Sequence, residues 1–253
     1  MVNVQNLTFE YTSGIPVFLN FDWKIEKGES WTILGPSGCG KSTLLYLVAG
    51  LRQPGSGRIL VDGEELIRPR PQSGLIIQDY GLLPWATVKE NVALGLDIRR
   101  FYGPDGTHAP IDANISEEDV RHWIQQLGLL EQRDKFPGQI SGGQRQRCAI
   151  ARTLVLRPDL LLMDEPFSSL DAPTRESLQH LVIDLWQEHQ LTMITVTHSI
   201  EEAAILGQKI LLLDNPPNKT ANVIDNPSFG KKNVRSDPQY LQICQVLREQ
   251  LSK

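Results

Sequence analysis

The chain has 253 residues, 40% of them hydrophobic and 22% charged, with a formal net charge of −5, enough for one large domain or a core with a sub-domain. That balance excludes a protein that is basic overall and wraps nucleic acid, and no apolar run approaches the length of a membrane span. Cys39, Cys148 and Cys244 lie far apart without a second ligand at metal spacing, which fits a reducing compartment; the N-terminus has no signal-peptide pattern, so a cytoplasmic location is expected.

Residues 2–34 read as strands and turns. Leu19, Phe21, Trp23 and Ile25 alternate with polar residues, as in a half-buried antiparallel strand, and Lys27-Gly28-Glu29 turns the chain into the apolar run Trp31-Thr32-Ile33-Leu34. Tyr11, in a loop with Ser13, Gly14 and Pro16, suits base stacking or an ordinary core or surface position equally well. Then comes Gly35-Pro36-Ser37-Gly38-Cys39-Gly40-Lys41-Ser42-Thr43: a glycine, four residues and Gly-Lys-Ser, followed by the helix-length apolar run 44–49 and Gly50. Glycines let successive backbone N–H groups turn around an anion, and a helix starting near Lys41 aims its positive end at the same point. Lys41 would reach terminal phosphates and the Ser42 hydroxyl would ligate Mg²⁺. An ordinary glycine-rich turn has no reason to carry Gly-Lys-Ser-Thr after two more glycines.

Beyond this loop, Asp62-Gly63 predicts a hairpin between Arg58-Ile59-Leu60-Val61 and Glu64-Glu65-Leu66, and the strand 74–77 ends at Gln78-Asp79. The pattern then turns helical. Val88, Val92, Leu94 and Leu96 mark one helix, Ser116-Glu117-Glu118-Asp119 starts another, and residues 101–115 read as the loop between them. The domain organisation predicted is a core over about 1–83 and 157–215, a helical sub-domain over about 84–156, and a loosely structured tail over about 216–253 that ends in a helix from Gln239 to Leu251. Leu160-Leu161-Leu162-Met163 suits a buried parallel strand, with further strands at 191–196 and 210–213 and a helix from Ala172 to His189 before them. The fold class expected is α/β: a P-loop NTPase core with a mixed sheet, flanking helices and an N-terminal antiparallel β region, carrying an inserted helical sub-domain.

Asp164-Glu165 closes the apolar strand, where one carboxylate can hold Mg²⁺ and the next can act on the attacking water. His198 would come to the same sheet edge after the strand 191–196; alone it is weak evidence. Ile140-Ser141-Gly142-Gly143-Gln144 offers a second anion-ready helix start, and a second copy of the protein is one reason for a chain to carry two.

With these motifs in this order, the chain resembles the ATP-binding subunits of ABC transporters over nearly its whole length. Gly35 to Thr43 is similar to the Walker A loop, Gln78 to the Q-loop glutamine, Ser141 to Gln144 to the signature, and Leu160 to Glu165 to Walker B. Ser168-Ser169-Leu170-Asp171 is similar to the D-loop, His198 to the switch histidine, and Tyr11 to the base-stacking aromatic. Ile140 and Ser169 depart from a usual leucine and a common alanine without removing a functional group. The resemblance implies an active ATPase using ATP and Mg²⁺, with Glu165, His198 and Gln78 catalytic. Tyr11, Gly35, Pro36, Ser37, Gly38, Cys39, Gly40, Lys41, Ser42, Thr43, Ser141, Gly142, Gly143, Gln144 and Asp171 would hold nucleotide, and Ser42, Gln78 and Asp164 the metal. It further implies a head-to-tail pair of ATPase subunits on the cytoplasmic face of the membrane, driving a separate permease supplied by a solute-binding protein, with no nucleic-acid partner. Leu82-Leu83-Pro84-Trp85-Ala86-Thr87-Val88 is similar to the nitrate, sulfonate and taurine importers, and Trp85 and Tyr80 are expected on the surface that receives a permease helix. The alternatives are a soluble ABC ATPase of an assembly machine, such as one building iron–sulfur clusters, and a DNA-repair or chromosome ATPase, whose long inserted segments are missing.

Overall fold

The structure is a computed structural model that describes residues 1–12, 14–110, 116–231 and 234–251. In chain order its elements are β1 (Val2–Glu10), β2 (Pro16–Ile25), β3 (Ser30–Leu34), α1 (Lys41–Val48), β4 (Ser56–Val61), β5 (Glu64–Glu65), β6 (Ser73–Ile76), α2 (Val88–Tyr102) and α3 (Glu117–Gln126). They continue with α4 (Gly142–Leu154), β7 (Leu160–Asp164), α5 (Ala172–His189), β8 (Thr192–Thr197), α6 (Ile200–Leu206), β9 (Lys209–Leu212), β10 (Asn222–Asp225) and α7 (Pro238–Leu251). They form two compact units, Met1–Pro69 with Val182–Lys253, and Arg70–Leu181.

The first unit holds two sheets. β2, β1, β4 and β5 make an antiparallel one, while β8, β3 and β9 run parallel with β10 antiparallel at the edge of β9. β3 has a strand on each side and all five of its residues are buried; its two polar ones are satisfied there, Ser30 donating to the Leu206 carbonyl and Thr32 to the Ala203 carbonyl. Trp23 of β2 meets Trp31 of β3 edge-to-face at 5.3 Å, fixing one sheet to the other. Such a pair adds about 1 kcal/mol beyond the burial of the two rings. The alternation expected in β2 holds only in part. Phe18, not Leu19, joins Phe21, Trp23 and Ile25 in the core, because Asn20 has φ +49° and β2 spends one more residue than β1 between the pairs Phe9–Phe18 and Leu7–Phe21.

In the second unit β6 and β7 pair in parallel beneath α4. Gly74 allows that packing, since a Cβ there would collide with the Thr153 methyl group of α4. The loops are tied by polar groups: Arg70 binds Asp159 through two nitrogens at 3.1 and 2.9 Å, and Arg99 donates to the carbonyls of Leu156 and Pro71. Ser116 caps α3 in a capping box with Asp119, as its sequence predicts. Burial pushes the Cys148 thiol up to about 12, so this cysteine is a small apolar filler.

Two expectations need correcting, the end of α2 and the looseness of the tail. α2 runs through Tyr102, so Phe101 and Tyr102 belong to the helix and not to the loop, whose residues 111–115 lie outside the described ones, as does Ser13 of the Tyr11 loop. α6 is not among the expected elements, although Ser199 and Glu202 mark its start. The tail is not loosely structured: β10 extends the sheet, and the buried Asn226 amide donates to the carbonyls of Ala204 and Gly207, closing the end of α6. The segment expected as a helical sub-domain, 84–156, lies within the second unit, which also takes in β6, β7 and part of α5. No described helix is long and apolar enough to cross a membrane.

Candidate functional site

The phosphate loop belongs to the first unit. It leaves β3 at Gly35, where a Cβ would stand 2.8 Å from the Cys39 sulfur and would also strike the Leu213 carbonyl. Gly38 and Gly40 take φ +80° and +108°, values open to glycine, and Gly40 is the N-cap of α1. The Lys41 ammonium donates to the carbonyls of Gly35 and Pro36, 2.9 Å each, so the cation already sits inside the loop. Pro36, Ser37 and Gly38 are exposed, while Cys39 is buried and burial raises its thiol, which suits a space-filler rather than a nucleophile. Glycines at these angles, an N-terminal helix end and an enclosed lysine fit a polyphosphate.

Two further groups stand beside this loop. The Tyr11 hydroxyl lies 2.8 Å from that of Thr43, and the residue as a whole is 57% exposed, so the tyrosine is brought to the phosphate-loop helix with surface to spare for a base. Asn218 was invisible to sequence reasoning, standing in a proline-rich stretch without a motif. Its buried amide donates to the Cys39 carbonyl at 2.9 Å and accepts from the Asp214 N–H at 3.0 Å, bracing the loop from behind. His198, also in this unit, is exposed at the end of β8; Ser199 caps α6, and Thr197 donates to Glu202 beside it.

The second unit gathers the other motifs. β7 is buried throughout and delivers Asp164, 4% exposed, to its carboxyl end. Glu165 follows with φ +45°, a sparsely populated conformation for a side-chain-bearing residue, and its carbonyl accepts from the Ser168 N–H and hydroxyl. An enclosed carboxylate next to a second one held in a fixed turn fits the hard, oxygen-ligated Mg²⁺ ion. Ser141 caps α4 through a capping box with Gln144, and its exposed position leaves this helix start open. Gly143 is required where it stands, because a Cβ would run into the Thr174 methyl group. Asp171 caps the start of α5; its hydrogen bonds to Thr174 hold its carboxyl below the usual range. Gln78 is exposed.

Tyr80 departs from expectation. It is 9% exposed and not part of the surface, and its backbone takes φ +62°. Its hydroxyl lies 2.7 Å from that of Ser169, its ring lies under the Arg145 guanidinium, and Arg152 donates to its carbonyl at 2.8 Å. A Cβ on Gly142 would lie 3.7 Å from the Tyr80 oxygen, so one phenol joins the segment after Gln78 to the signature start and the D-loop. Trp85 is 73% exposed. Asn91 holds it out: this buried amide accepts from the Leu83 N–H and donates to the carbonyls of Leu83, Ala86 and Thr87, shaping the loop around it. No motif pointed to Asn91, though an asparagine on the apolar side of a helix is itself a signal.

The Tyr80–Ser169 link gives a testable energy. Tyr80→Phe and Ser169→Ala should each lower unfolding stability by about 1 kcal/mol, and the double variant by clearly less than the sum, since removing both partners leaves no orphaned hydroxyl. Urea denaturation of the four proteins checks this; additive losses would mean that the two hydroxyls do not interact.

A family described as ABC transporter matches residues 18–168. The aliphatic sulfonates import ATP-binding protein SsuB of Bacillus cereus is 40% identical over 227 residues, 89% of this chain and 85% of that protein. The taurine import ATP-binding protein TauB of Pseudomonas aeruginosa is 38% identical over 89% of this chain and 85% of its own length, and the nitrate import ATP-binding protein NrtD of Synechococcus elongatus is 37% identical over 87% and 78%. Among solved structures, a dimeric ATP-binding cassette in a post-hydrolysis state bound to ADP and Pi superposes with TM-score 0.73 at 29% identity, covering 89% of this chain and 98% of that one. CbiO1 of Clostridium perfringens, part of an ABC transporter complex, gives TM-score 0.74 at 25% identity over 99% and 96%.

Proposed function

The chain belongs to the ABC transporter family, as an ATP-hydrolysing cassette coupled to transport, and on that premise we propose that it powers an importer of the nitrate, sulfonate or taurine class through a separate membrane permease. The observation that carries the reading is the pair of helix starts open to an anion, one at Gly40 with the enclosed Lys41 and one at Ser141 without a lysine of its own. Two such termini suit a single ABC ATPase domain that works as a head-to-tail pair, the first holding its own nucleotide and the second serving that of the other copy.

In this reading the 35–43 loop binds the phosphates, Lys41 stabilises charge on the transferred group, and Tyr11 stacks the base. Ser42, Asp164 and Gln78 would hold Mg²⁺, which when bound neutralises charge on the phosphate oxygens. Glu165 orients the attacking water and takes its proton, and His198 hydrogen-bonds the phosphate being released. Ser141, Gly142, Gly143, Gln144 and Asp171 complete the nucleotide site of the second copy. The protein would lie on the cytoplasmic face of the membrane. Nothing above favours the assembly-machine alternative.

Trp85 supplies the test of the permease. A tryptophan exposed on a loop braced by Asn91 is a rigid anchor of the kind enriched at interfaces. Trp85→Ala should leave ATPase turnover of the isolated subunit unchanged, weaken its capture by the co-expressed permease about tenfold or more, and lower ATP-driven uptake of a sulfonate, taurine or nitrate in reconstituted vesicles. Unchanged capture would remove Trp85 from the docking surface. A wild-type complex that moves none of these solutes would remove the solute class.

A further inference from the structure

We propose that Arg52 is a positioning residue for the nucleotide base, holding the Tyr11 ring as the shelf on which adenine stacks. The inference rests on the ATPase reading above and extends it to a residue outside the recognised motifs. The Arg52 guanidinium lies over the Tyr11 ring with its central carbon 4.7 Å from the centroid. At the far end of the same ring the hydroxyl is held by Thr43, and Phe9 meets it edge-to-face at 5.1 Å. The tyrosine is therefore held by a cation over its ring, a hydrogen bond at its hydroxyl and a second aromatic ring, while more than half of its surface remains open to solvent.

The stem that carries Arg52 is equally fixed. Past the C-cap of α1 comes Gly50, whose φ of +74° allows the N–H groups of Leu51 and Arg52 both to reach the Tyr46 carbonyl, at 3.0 and 3.3 Å. A Cβ on Gly50 would come within 2.6 Å of the Arg68 carbonyl group, so the turn has little room to shift. The helix that opens with the phosphate loop thus closes by aiming a planar cation back at the base-binding aromatic. Arginine suits this role: its flat, weakly hydrated guanidinium stacks on an aromatic face. An unsupported tyrosine beside a loop loses orientational freedom when a base stacks on it, whereas a ring already held loses little, and the saving appears as affinity.

The effect must depend on the base and not on the phosphates, which separates positioning from general attraction between a cation and a polyanion. Arg52→Ala should raise the Kd for ATP about two- to fivefold, the scale of an exposed cation–π contact, with no change in the Kd for inorganic tripolyphosphate. In steady-state hydrolysis the change should fall on KM and not on kcat. Arg52→Lys, which keeps the cation, should recover most of the loss, and in a Tyr11→Ala background Arg52→Ala should have no further effect. Isothermal titration with both ligands reads these outcomes. Equal weakening of ATP and tripolyphosphate would make Arg52 a charge on the site's rim and overturn the proposal. Tighter ATP binding would show that Arg52 blocks the ring, and unchanged ATP binding that the ring needs no support; either result also overturns it. A wild-type protein that binds neither ligand would instead refute the ATPase reading.

Discussion

Lys41→Ala is expected to reduce ATP turnover at least about 100-fold while the protein stays folded. The Lys41 ammonium bridges the Gly35 and Pro36 carbonyls inside the phosphate loop, so the cation is placed before any phosphate arrives and little reorganisation is needed when negative charge builds on the transferred group. Alanine removes both the charge and the two hydrogen bonds that close the loop. The second loss costs stability, by about 1–3 kcal/mol, but β3, α1 and the Asn218 brace keep the loop's two ends in place. Phosphate-release assays with parallel circular-dichroism melts separate the two effects. A folded variant with ordinary turnover would remove Lys41 from the chemistry and with it the phosphate-loop assignment.

Glu165→Gln is expected to bind ATP with about wild-type affinity, to hydrolyse it on the order of 100-fold more slowly or worse, and to accumulate as an ATP-bound dimer. Glutamine keeps the shape of glutamate but cannot take a proton, and the turn at φ +45° is set by Ser168 on the backbone carbonyl, so the substitution leaves the turn intact. With hydrolysis stopped, nothing releases an interface that two nucleotides hold together. Size-exclusion chromatography at saturating ATP reads the dimer. Adding Ser141→Arg should abolish it by placing bulk and charge at the open start of α4. Arginine also removes the cap to Gln144, worth about 1 kcal/mol, so Ser141→Asn, which can still cap, serves as the control and should keep the dimer. A Glu165→Gln protein that remains monomeric at saturating ATP argues against the pair for the isolated subunit. One that dimerises equally well with Ser141→Arg shows that the signature lies outside the interface.

Much of this protein was determined by its sequence alone, because its elements obey local rules. The loop from Gly35 to Thr43 is legible since glycine takes without strain the φ values that Gly38 and Gly40 adopt, and β7 and β8 are legible because a strand buried on both faces leaves no room for alternation. Capping boxes at Ser116 and Ser141 start α3 and α4 at the residues their sequences indicate. α5 begins and ends at Ala172 and His189, where its pattern does.

Only the tertiary structure could decide what depends on partners distant in the chain. The bulge at Asn20 exchanged Leu19 for Phe18 in the core, because register is a property of two strands and not of one. Tyr80 reads as a surface aromatic until its partners Ser169 and Arg145 turn it inward, 89 and 65 residues away in the numbering. Asn218 is an unremarked residue after two prolines, yet it reaches back 179 positions to the Cys39 carbonyl. A buried polar group must find a partner, and the chain's periodicity says that such a group is buried without saying which carbonyl will come to meet it. Arg52 makes the same point at the nucleotide: its position after Gly50 is written in the sequence, but the ring it covers comes from the distant Tyr11 loop, which meets α1 at the Thr43 hydroxyl.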